Sequence, residues 1–277
     1  MDWQGTETLP RAASSDAGAS RLPISCYIRT LNEERCIAEV VHAALQVASE
    51  VIIVDSGSTD GTLELAEAAG ARIIRQPWLG NGKQKRVGED AARHDWLLDL
   101  DADEIISPEL AAEIRAAFQK PLPCNMYELK LVFVSPFGKP WWNFKNSYRI
   151  KLYNKRHIRM PDHAAWDQFK PPSKEKAGRL QGALLHYSFT GVDHIIRKLN
   201  RATSTRGKEA DLKPLPLIIV RIFFAFPFYF LKEYILRGLI KGGVYGFIFS
   251  FSLAFGRWMT DVKMYERHMR TKIKPGA

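Results

Sequence analysis

The chain has 277 residues, of which 46% are hydrophobic, enough for one large domain or for a domain with an appendage. Its formal net charge of +10 indicates attraction to an anionic partner, with nucleotide phosphates, nucleic acid and an acidic lipid surface all eligible. Cys26, Cys36 and Cys124 lack Cys-x-x-Cys spacing, which indicates neither a zinc site nor a disulfide framework and fits a reducing cytosol.

Residues 1–22 are rich in small and polar residues and lack the continuous apolar stretch of a signal peptide. We therefore predict a disordered leader and no secretory signal. From residue 24, short apolar runs alternate with amphipathic stretches, which predicts a sheet built from βαβ units. The predicted strands are 24–28, 51–54, 72–74 and 96–100, and the predicted helices are 33–47, 62–69 and 83–92, with apolar residues at helical spacing. Ser107, Pro108 and Glu109 predict the start of a further helix that ends near residue 118.

After residue 123 the pattern becomes strand-like at 126–134, 148–153 and 179–187, which predicts an extension of the same sheet. Beyond residue 214, two apolar segments rich in Phe, 215–231 and 242–255, predict a separate helical module. The first segment contains Arg221 and Pro227 and the second is short and interrupted by glycine, whereas roughly 20 apolar residues are needed to cross a bilayer.

We therefore expect these segments to form amphipathic helices that lie in a membrane interface, with anionic lipid heads held by nearby basic residues. The basic residues are Lys232, Arg237, Lys241, Arg267, Arg270, Lys272 and Lys274. A buried helical hairpin or a dimer interface is the alternative interpretation.

An acidic motif, Asp101-Ala102-Asp103-Glu104, follows the apolar run 96–100. Because adjacent carboxylates repel each other and are costly to bury, an Asp-x-Asp at the end of a buried strand predicts a divalent-cation site beside a nucleotide diphosphate. A solvated acidic loop is the alternative.

A second buried run opens into small polar residues, with the sequence VDSGSTDGT at 54–62. In a doubly wound sheet Asp55 lies at the carboxyl end of its strand, where it can accept hydrogen bonds from a ribose or a base. We predict that Asp60 instead caps the following helix.

A third motif, WLGNGKQK at 78–85, is a glycine-flanked turn that leads into a helix with three cations in its first turn. Such cations oppose the helix dipole unless they face an anion, so we predict that Gly82, Lys83 and Lys85 lie near a diphosphate. Gln84 and the glycine spacing exclude a Walker A loop, and no Gly-x-Gly-x-x-Gly follows the first strand, which disfavours a dinucleotide-binding dehydrogenase.

With YIRTLNEE at 27–34, these motifs resemble an inverting family 2 glycosyltransferase of the GT-A fold over residues 24–270, in the branch that includes bacterial lipopolysaccharide-core glucosyltransferases. The resemblance implies an α/β fold in which a GT-A type, Rossmann-like mixed sheet flanked by helices occupies 23–210. A C-terminal amphipathic helical membrane-associated module occupies 211–277.

The resemblance also implies a nucleotide-diphosphate sugar donor, whose nucleoside lies near Asp55, Gly57 and the segment Thr30, Asn32 and Glu33.

At the diphosphate, the resemblance implies that Asp101 and Asp103 hold Mg²⁺ or Mn²⁺, with Ala102 in contact with the donor. Lys83 or Lys85 would help to neutralise the charge that builds on the leaving group.

Inversion requires a base that takes the proton of the acceptor hydroxyl. Asp167, in AWDQF at 165–169, matches in position the family's short Val-His-Glu segment, with Trp in place of His and Asp in place of Glu. Asp162, beside His163, is the alternative base. Either carboxylate could instead pair with a nearby cation, and the candidates are Lys170, Arg156 and Arg159.

The sequence does not assign a single role to two further residues. His186 ends an apolar strand, where it either approaches the metal or diphosphate or is a hydrogen-bonded structural histidine. Arg29 stands where such enzymes commonly have a small apolar residue, and nothing in the sequence accounts for it.

The resemblance thus implies a hexosyltransferase at the cytoplasmic face of the inner membrane, peripheral or monotopic, bound to an anionic membrane surface. It would transfer a sugar with inversion to a lipid-linked or lipopolysaccharide-type acceptor. The alternatives are a polyprenyl-phosphate sugar transferase, whose attacking phosphate needs no strong base, and a catalytically silent nucleotide-binding membrane scaffold. No helix-turn-helix, zinc-finger or RNA-binding signature supports nucleic acid as a partner.

Overall fold

A computed structural model describes residues 21–138, 140–141, 147–164, 166–169 and 176–272, with the backbone alone at 147, 205–206, 208–209 and 272. The described residues form two compact units. Unit 1 comprises those of Met1–Val134 and Asn146–Tyr187, and unit 2 those of Ser135–Lys145 and Ser188–Ala277. The leader predicted at 1–22 lies outside the described residues except for its last two positions, and the domain boundaries at 23–210 and 211–277 stay a prediction.

Unit 1 contains an eight-stranded sheet with helices between its strands. The strands are β1 (Leu22–Thr30), β2 (Ala48–Asp55), β3 (Arg72–Arg75), β4 (Trp96–Asp101), β5 (Glu104–Ile106), β6 (Met126–Phe133), β7 (Ser147–Asn154) and β8 (Gly178–His186). The helices are α1 (Ile37–Ala44), α2 (Thr62–Ala68), α3 (Asn81–Ala91) and α4 (Pro108–Ala117). Seven of these strands were predicted within a few residues, and β5 was missed.

The sheet is mixed, with the strand order β3-β2-β1-β4-β7-β6-β8-β5. The first four strands in this order are parallel. β7 runs antiparallel to β4 and β6, β8 runs parallel to β6, and β5 runs antiparallel to β8. The predicted α/β class, with a mixed sheet flanked by helices, is confirmed.

Three of the parallel strands, β1, β2 and β4, carry much of the core, because they are buried on both faces and are nearly continuous apolar runs, whereas the edge strand β3 is partly exposed. The fully buried side chains of β1, β2 and β4 include Ile24, Ile28, Ile52, Ile53, Leu97, Leu98 and Leu100. These strands end at one edge of the sheet, where the residue after each buried run is polar.

β5 joins the two ends of the strand order. Only two residues separate it from the end of β4, yet it pairs with β8 at the far end of the order. Since three peptide steps span at most about 11 Å, the sheet curls until the end of β8 lies near the end of β4. Glu104 and His186 are partners in the β5–β8 ladder.

Helix α4 begins as predicted: the Ser107 hydroxyl accepts a hydrogen bond from the Leu110 amide at 3.2 Å, with Pro108 in the first turn. The prediction for α1 was wrong at its N-terminus, because the helix begins at Ile37 and not at residue 33. The reason is that the chain bends at residues 31–32 and forms a turn at residues 34–36. Asn32 has a φ of 56°, and the Glu33 amide bonds to the Thr62 hydroxyl at 2.8 Å.

Unit 2 is helical. It contains α5 (Val192–Glu209), α6 (Leu215–Leu231), a π-helical turn (Lys232–Leu236), a 3-10 turn (Leu239–Gly242) and α7 (Gly243–Lys272). α6 and α7 pack together, with the Trp258 indole donating to the Ile222 carbonyl at 3.0 Å and the Arg221 guanidinium 3.0 Å from the Asp261 carboxylate.

Two helical stretches of unit 2, Leu215–Leu236 and Leu239–Thr271, are long and apolar enough to cross a membrane, by length and composition alone. The prediction that the second apolar segment is short was wrong, because α7 continues through the basic tail to Lys272. Pro227 lies inside α6 without ending it. Lys274 of the predicted basic set lies outside the described residues.

Candidate active site

The carboxyl ends of β1, β2 and β4 bring the predicted polar residues together. In the parallel ladders Thr30 pairs with Asp55, and Arg29 pairs with Asp101. Residues that are far apart in the chain therefore meet at one edge of the sheet, where ligands bind in open α/β folds.

Asp55 organises the loop that follows β2. Its carboxylate accepts from the Thr30 hydroxyl at 3.1 Å, from the Ser58 hydroxyl at 2.5 Å, and from the amides of Gly57 and Ser58, each at 2.9 Å. Burial acts to raise the pKa of Asp55, but these hydrogen bonds outweigh it and hold the pKa below its ordinary value. The carboxylate is 2% exposed, so it fixes the loop, and its contact with a nucleoside stays a prediction.

A second loop, after β1, is tied to this one. The Asn32 amide donates to the Ser58 hydroxyl at 2.9 Å, and the Asn32 side-chain oxygen accepts from the Thr59 amide at 2.8 Å. Asp60 accepts from the Thr62 amide at 3.1 Å, but the N-cap residue of α2 is Gly61, and the helix has no side-chain cap. The capping role predicted for Asp60 was wrong, because Asp60 lies one residue before the N-cap and bonds to the first amide of the helix. Asn32 and Glu33 are thus presented on a turn that the Asp55 loop holds in place.

Asp101 lies within a group of acidic and basic side chains that we call the Asp101 cluster. Its members are Arg29, Lys85, Asp99, Asp101, Glu104, Lys151 and Asp167. Asp101 Oδ1 is 3.2 Å from Arg29 Nε and 3.1 Å from Lys85 Nζ, and Asp101 Oδ2 is 3.5 Å from Lys151 Nζ. Each of the three cations comes from a different element, β1, α3 or β7.

These surroundings set the ionisation of the cluster. Burial acts to raise the pKa of Asp101, but the charges of Lys151, Lys85 and Arg29 hold it well below its usual range. Burial also dominates at Glu104 and raises its pKa, although Lys151 Nζ is 2.7 Å away. Burial opposes the charge of Lys151, but the neighbouring carboxylates raise its pKa above the ordinary value. Asp101 is therefore an ionised carboxylate with positive charge on three sides.

Arg29 now has a structural explanation. Its guanidinium links three parts of the site: Nε reaches Asp101, NH1 donates to the Asn81 side-chain oxygen at 2.9 Å, and NH2 is 3.0 Å from Asp167 Oδ2. A small apolar residue at this position would make none of these contacts.

Asp167 is drawn into the site, and Asp162 is not. Asp167 is 23% exposed, and within the described residues its two ionic contacts, with Arg29 and with Lys85 at 3.7 Å, are both made by Oδ2. Asp162 is exposed. Of the cations considered as partners, Arg156 pairs with Asp95, Arg159 pairs with Glu89 and Asp90, and Lys170 lies outside the described residues.

Asp103 contacts β8. Its Oδ1 is 3.2 Å from Nε2 of His186, which the β5–β8 pairing brings to this place. Burial acts to lower the pKa of His186, but Asp103 raises it above the ordinary value. Ala102, between the two aspartates, is buried.

The two predicted metal ligands differ in how well they fit a cation. Asp103 Oδ1 and His186 Nε2 are paired at 3.2 Å. Ligand atoms about 2.0–2.2 Å from an octahedral ion lie about 3 Å apart, so a cation would fit between these two atoms in place of the proton that they share. Asp101 already faces three cations, which repel a fourth. No group of three or more His, Cys, Asp or Glu side chains suited to a metal occurs among the described residues. A two-residue site completed by phosphate oxygens is a usual arrangement for Mg²⁺.

The glycine-rich turn faces protein. A Cβ at Gly82 would lie 2.2 Å from the Pro161 carbonyl oxygen and 2.4 Å from that of Trp166. These carbonyls belong to the connection between β7 and β8, which we call the β7–β8 loop (residues 155–164 and 166–169). Lys83 is exposed, whereas Lys85 is 3% exposed and points into the Asp101 cluster. Proximity of Gly82, Lys83 and Lys85 to a diphosphate stays a prediction.

Sequence analysis missed Asp99, Glu89 and Lys151. The Glu89 carboxylate is fully buried and accepts from the Tyr153 hydroxyl at 2.6 Å and from the Met160 amide at 2.8 Å. Asp99 and Lys151 each interrupt an apolar strand, and such an isolated charge in a buried run is a signal that could have identified them.

Comparison with known proteins agrees with this architecture. Residues 25–171 match the family model described as Glycosyl transferase family 2. An uncharacterized glycosyltransferase of Rickettsia felis is 31% identical over 259 residues, which cover 90% of this chain and 92% of that protein. The lipopolysaccharide core biosynthesis glycosyltransferase LpsC of Rhizobium meliloti is 27% identical over 265 residues, 93% of this chain and 97% of that protein.

The chain therefore belongs to glycosyl transferase family 2, and it is an enzyme of the hexosyltransferase type that uses a nucleotide sugar. Among solved structures, glucosyl-3-phosphoglycerate synthase from Mycobacterium tuberculosis, in complex with Mn²⁺, UDP and phosphoglyceric acid, aligns with 26% identity and a TM-score of 0.33. That alignment covers 40% of this chain and 43% of the synthase, too little for any inference about the site.

Proposed function

We propose that the enzyme moves a sugar, with inversion, from a nucleoside-diphosphate sugar to a lipopolysaccharide-core or other lipid-linked acceptor. The likeness to LpsC over nearly the whole of both chains supports this class of acceptor. The observation that carries the proposal is the link through Arg29, which joins Asp101 at the donor edge of the sheet to Asp167 on the β7–β8 loop.

The base is Asp167. Its Oδ2 is taken by Arg29 and Lys85, so Oδ1 is the oxygen that receives the acceptor's proton. The acceptor oxygen forms the new bond to the anomeric carbon as the bond to the diphosphate breaks, and the electron pair of that bond leaves with the nucleoside diphosphate. A positioned carboxylate of this kind accelerates such a step by roughly 10²–10⁴-fold.

The donor lies along the ends of β1, β2 and β4. We assign the nucleoside to the paired loops that carry Thr30, Asn32, Glu33, Asp55 and Gly57, which hydrogen bonds hold in a fixed shape. A prearranged pocket reduces the entropy lost when the donor binds.

Asp103 and His186 are the residues we assign to a divalent cation, Mg²⁺ or Mn²⁺, on the basis of their 3.2 Å separation. A bound cation supplies charge neutralisation to the departing diphosphate. Asp101, predicted as a second ligand, lies two residues away and is held in its ionised form by protein cations.

The place of action follows from unit 2. One side of α6 and the turn after it exposes apolar residues spaced three or four positions apart: Leu217, Val220, Phe224, Phe228, Leu231 and Ile235. Half-buried Lys232 and exposed Lys241 lie close to the end of this row in the sequence. We assign this face to an anionic membrane surface, at the cytoplasmic side where nucleotide sugars occur, with the helices lying in the interface.

The test uses the full chain with synthetic vesicles, a panel of UDP- and GDP-hexoses, and Mn²⁺, Mg²⁺ or EDTA. Transfer to a core oligosaccharide acceptor, with inverted anomeric configuration by NMR and loss of activity in EDTA, is the expected result. Transfer to simple polyprenyl phosphates alone would instead establish the polyprenyl-phosphate enzyme. Nucleotide binding without transfer or donor hydrolysis would establish a silent scaffold.

A further inference from the structure

The turn that carries Gly80 and Gly82 is surrounded by the β7–β8 loop. The Asn81 amide donates to the Ala164 carbonyl at 2.6 Å, and the Gly82 amide donates to the His163 carbonyl at 3.0 Å. The first amides of α3, which a diphosphate would need, are therefore already bonded to protein.

There is no room at Gly82 for any other residue. Its hypothetical Cβ would lie within 3 Å of three carbonyl oxygens of the loop, those of Pro161, His163 and Trp166. At Gly80, where φ is 111°, a Cβ would lie 2.4 Å from the Ala164 Cα. A side chain at either position must push the β7–β8 loop away from α3.

The same helix holds the loop at a second point. Glu89, two turns further along α3, accepts from the Met160 amide at 2.8 Å and bonds to the Arg159 guanidinium. Arg29 adds a third link, since one guanidinium bonds to the Asn81 side chain at 2.9 Å and to Asp167 at 3.0 Å. Asp167 is thus fixed at the end of a loop that is anchored before it and beside it.

We propose that the Gly80–Gly82 turn is a seat for the β7–β8 loop, and that Gly82 is a positioning residue which sets the location of Asp167. This proposal rests on the proposed function only in taking Asp167 as the base. In this proposal the glycines of the motif do not bind the diphosphate. They leave the space in which the β7–β8 loop packs against α3. A misplacement of about 1 Å is enough to cost about 10²-fold in rate.

The experiment compares Gly82→Ala with Gly191→Ala in the full chain. Gly191 is a matched control, because a Cβ there meets no atom within 4 Å and its φ lies outside the left-handed range. Hydrogen–deuterium exchange is measured for peptides of the β7–β8 loop and of Leu22–Thr30. Affinity for UDP and for GDP with Mn²⁺ is measured by calorimetry, and transfer is measured as kcat and KM.

In Gly82→Ala we expect faster exchange in the β7–β8 loop, unchanged exchange in β1, nucleotide affinity within about twofold, and a kcat lower by about 10²-fold. Gly191→Ala should match the unaltered chain in every measurement. Unchanged exchange in the loop overturns the proposal, above all if nucleotide affinity falls, because the turn then faces the diphosphate.

If Gly82→Ala does not fold, exchange in β1 is fast as well. The proposal is then tested with a second variant, Arg159→Met. Arg159 is 43% exposed, so its replacement removes one of the two bonds between the loop and Glu89, leaves the Met160 amide bond, and adds no bulk to the core. Faster loop exchange and a lower kcat at constant nucleotide affinity support the seat, and unchanged exchange refutes it. An unaltered chain that transfers no sugar refutes the proposed function, while the exchange measurement still decides the seat.

Discussion

Lys85→Met should be one of the most destabilising single substitutions in unit 1. The Lys85 ammonium is 3% exposed and lies 2.9 Å from Asp99 Oδ1, 3.0 Å from Asp99 Oδ2 and 3.1 Å from Asp101 Oδ1. Methionine nearly preserves the volume, so the change removes the charge and leaves the 3% exposed Asp99 carboxylate without its closest partner. Uncompensated burial of one member of an ion pair costs about 3–5 kcal/mol.

The loss of stability in Lys85→Met can be measured by thermal denaturation. At roughly 3 °C per kcal/mol for a chain of this size, the substitution lowers Tm by about 10–15 °C. Lys83→Met is the matched control, since Lys83 lies in the same turn of α3 and is exposed. It should change the free energy of unfolding by no more than about 0.5 kcal/mol.

A double variant, Lys85→Met with Asp99→Leu, sharpens the test. Removing both charges replaces the buried pair by apolar contact, which is often neutral or stabilising, so the double variant should be more stable than Lys85→Met alone. The reasoning is refuted if Lys85→Met and Lys83→Met have the same Tm. If Lys85→Met keeps its stability but loses nucleotide affinity, the lysine serves the diphosphate as the sequence predicted.

Asp167→Asn should lower kcat by about 10²–10⁴-fold, while nucleotide affinity, measured by calorimetry, stays constant. If Asp162→Asn shows this loss and Asp167→Asn does not, Asp162 is the base. The folded-state pKa of Asp55 is depressed, so its contribution to stability is present above the unfolded value of about 3.9 and is lost as pH falls through the folded value. Asp55→Asn should therefore lower stability by about 1–3 kcal/mol at pH 7 and flatten the acid side of the urea-denaturation profile, and an unchanged profile contradicts this. Replacing Phe224 and Phe228 by Ser should reduce sedimentation with anionic vesicles, and unchanged sedimentation would exclude this face as the membrane contact.

Much of the parallel half of the sheet follows from the sequence, because each buried strand is a short apolar run that ends in a polar residue. Ile52 and Ile53 before Asp55, and Leu97 and Leu98 before Asp101, place those carboxylates at the same edge. The parallel arrangement and the apolar pattern are enough to place both carboxylates there.

The interior of α3 did not follow from the sequence. We predicted apolar residues at helical spacing, but the buried positions of this helix are Gly82, Gln84, Lys85, Gly88 and Glu89. Their partners are charges and carbonyls on elements that come before and after the helix in the chain. A hydrophobic pattern cannot show a polar interface of this kind, because each residue looks like a solvent-facing one until its partner is known.

The approach of His186 to Asp103 has a similar cause. It depends on β5, a strand of three residues, and on its pairing with β8, which lies about 80 positions later in the sequence. Short strands carry too little pattern to be recognised, and long-range pairing is not encoded locally. α5 was missed because it is mostly polar.

Two parts of the candidate active site differ in how firmly the fold holds them. Asp101 ends β4, and Asp103 lies on the two-residue link between β4 and β5, so both are held by the ladders on either side. The β7–β8 loop, by contrast, is attached through a few discrete bonds, to α3, to Asp95 and to Arg29 of β1. On the proposed function, mutation in that loop would alter which hydroxyl is glycosylated without changing the segments assigned to the nucleotide, a division that lets one scaffold diversify its products.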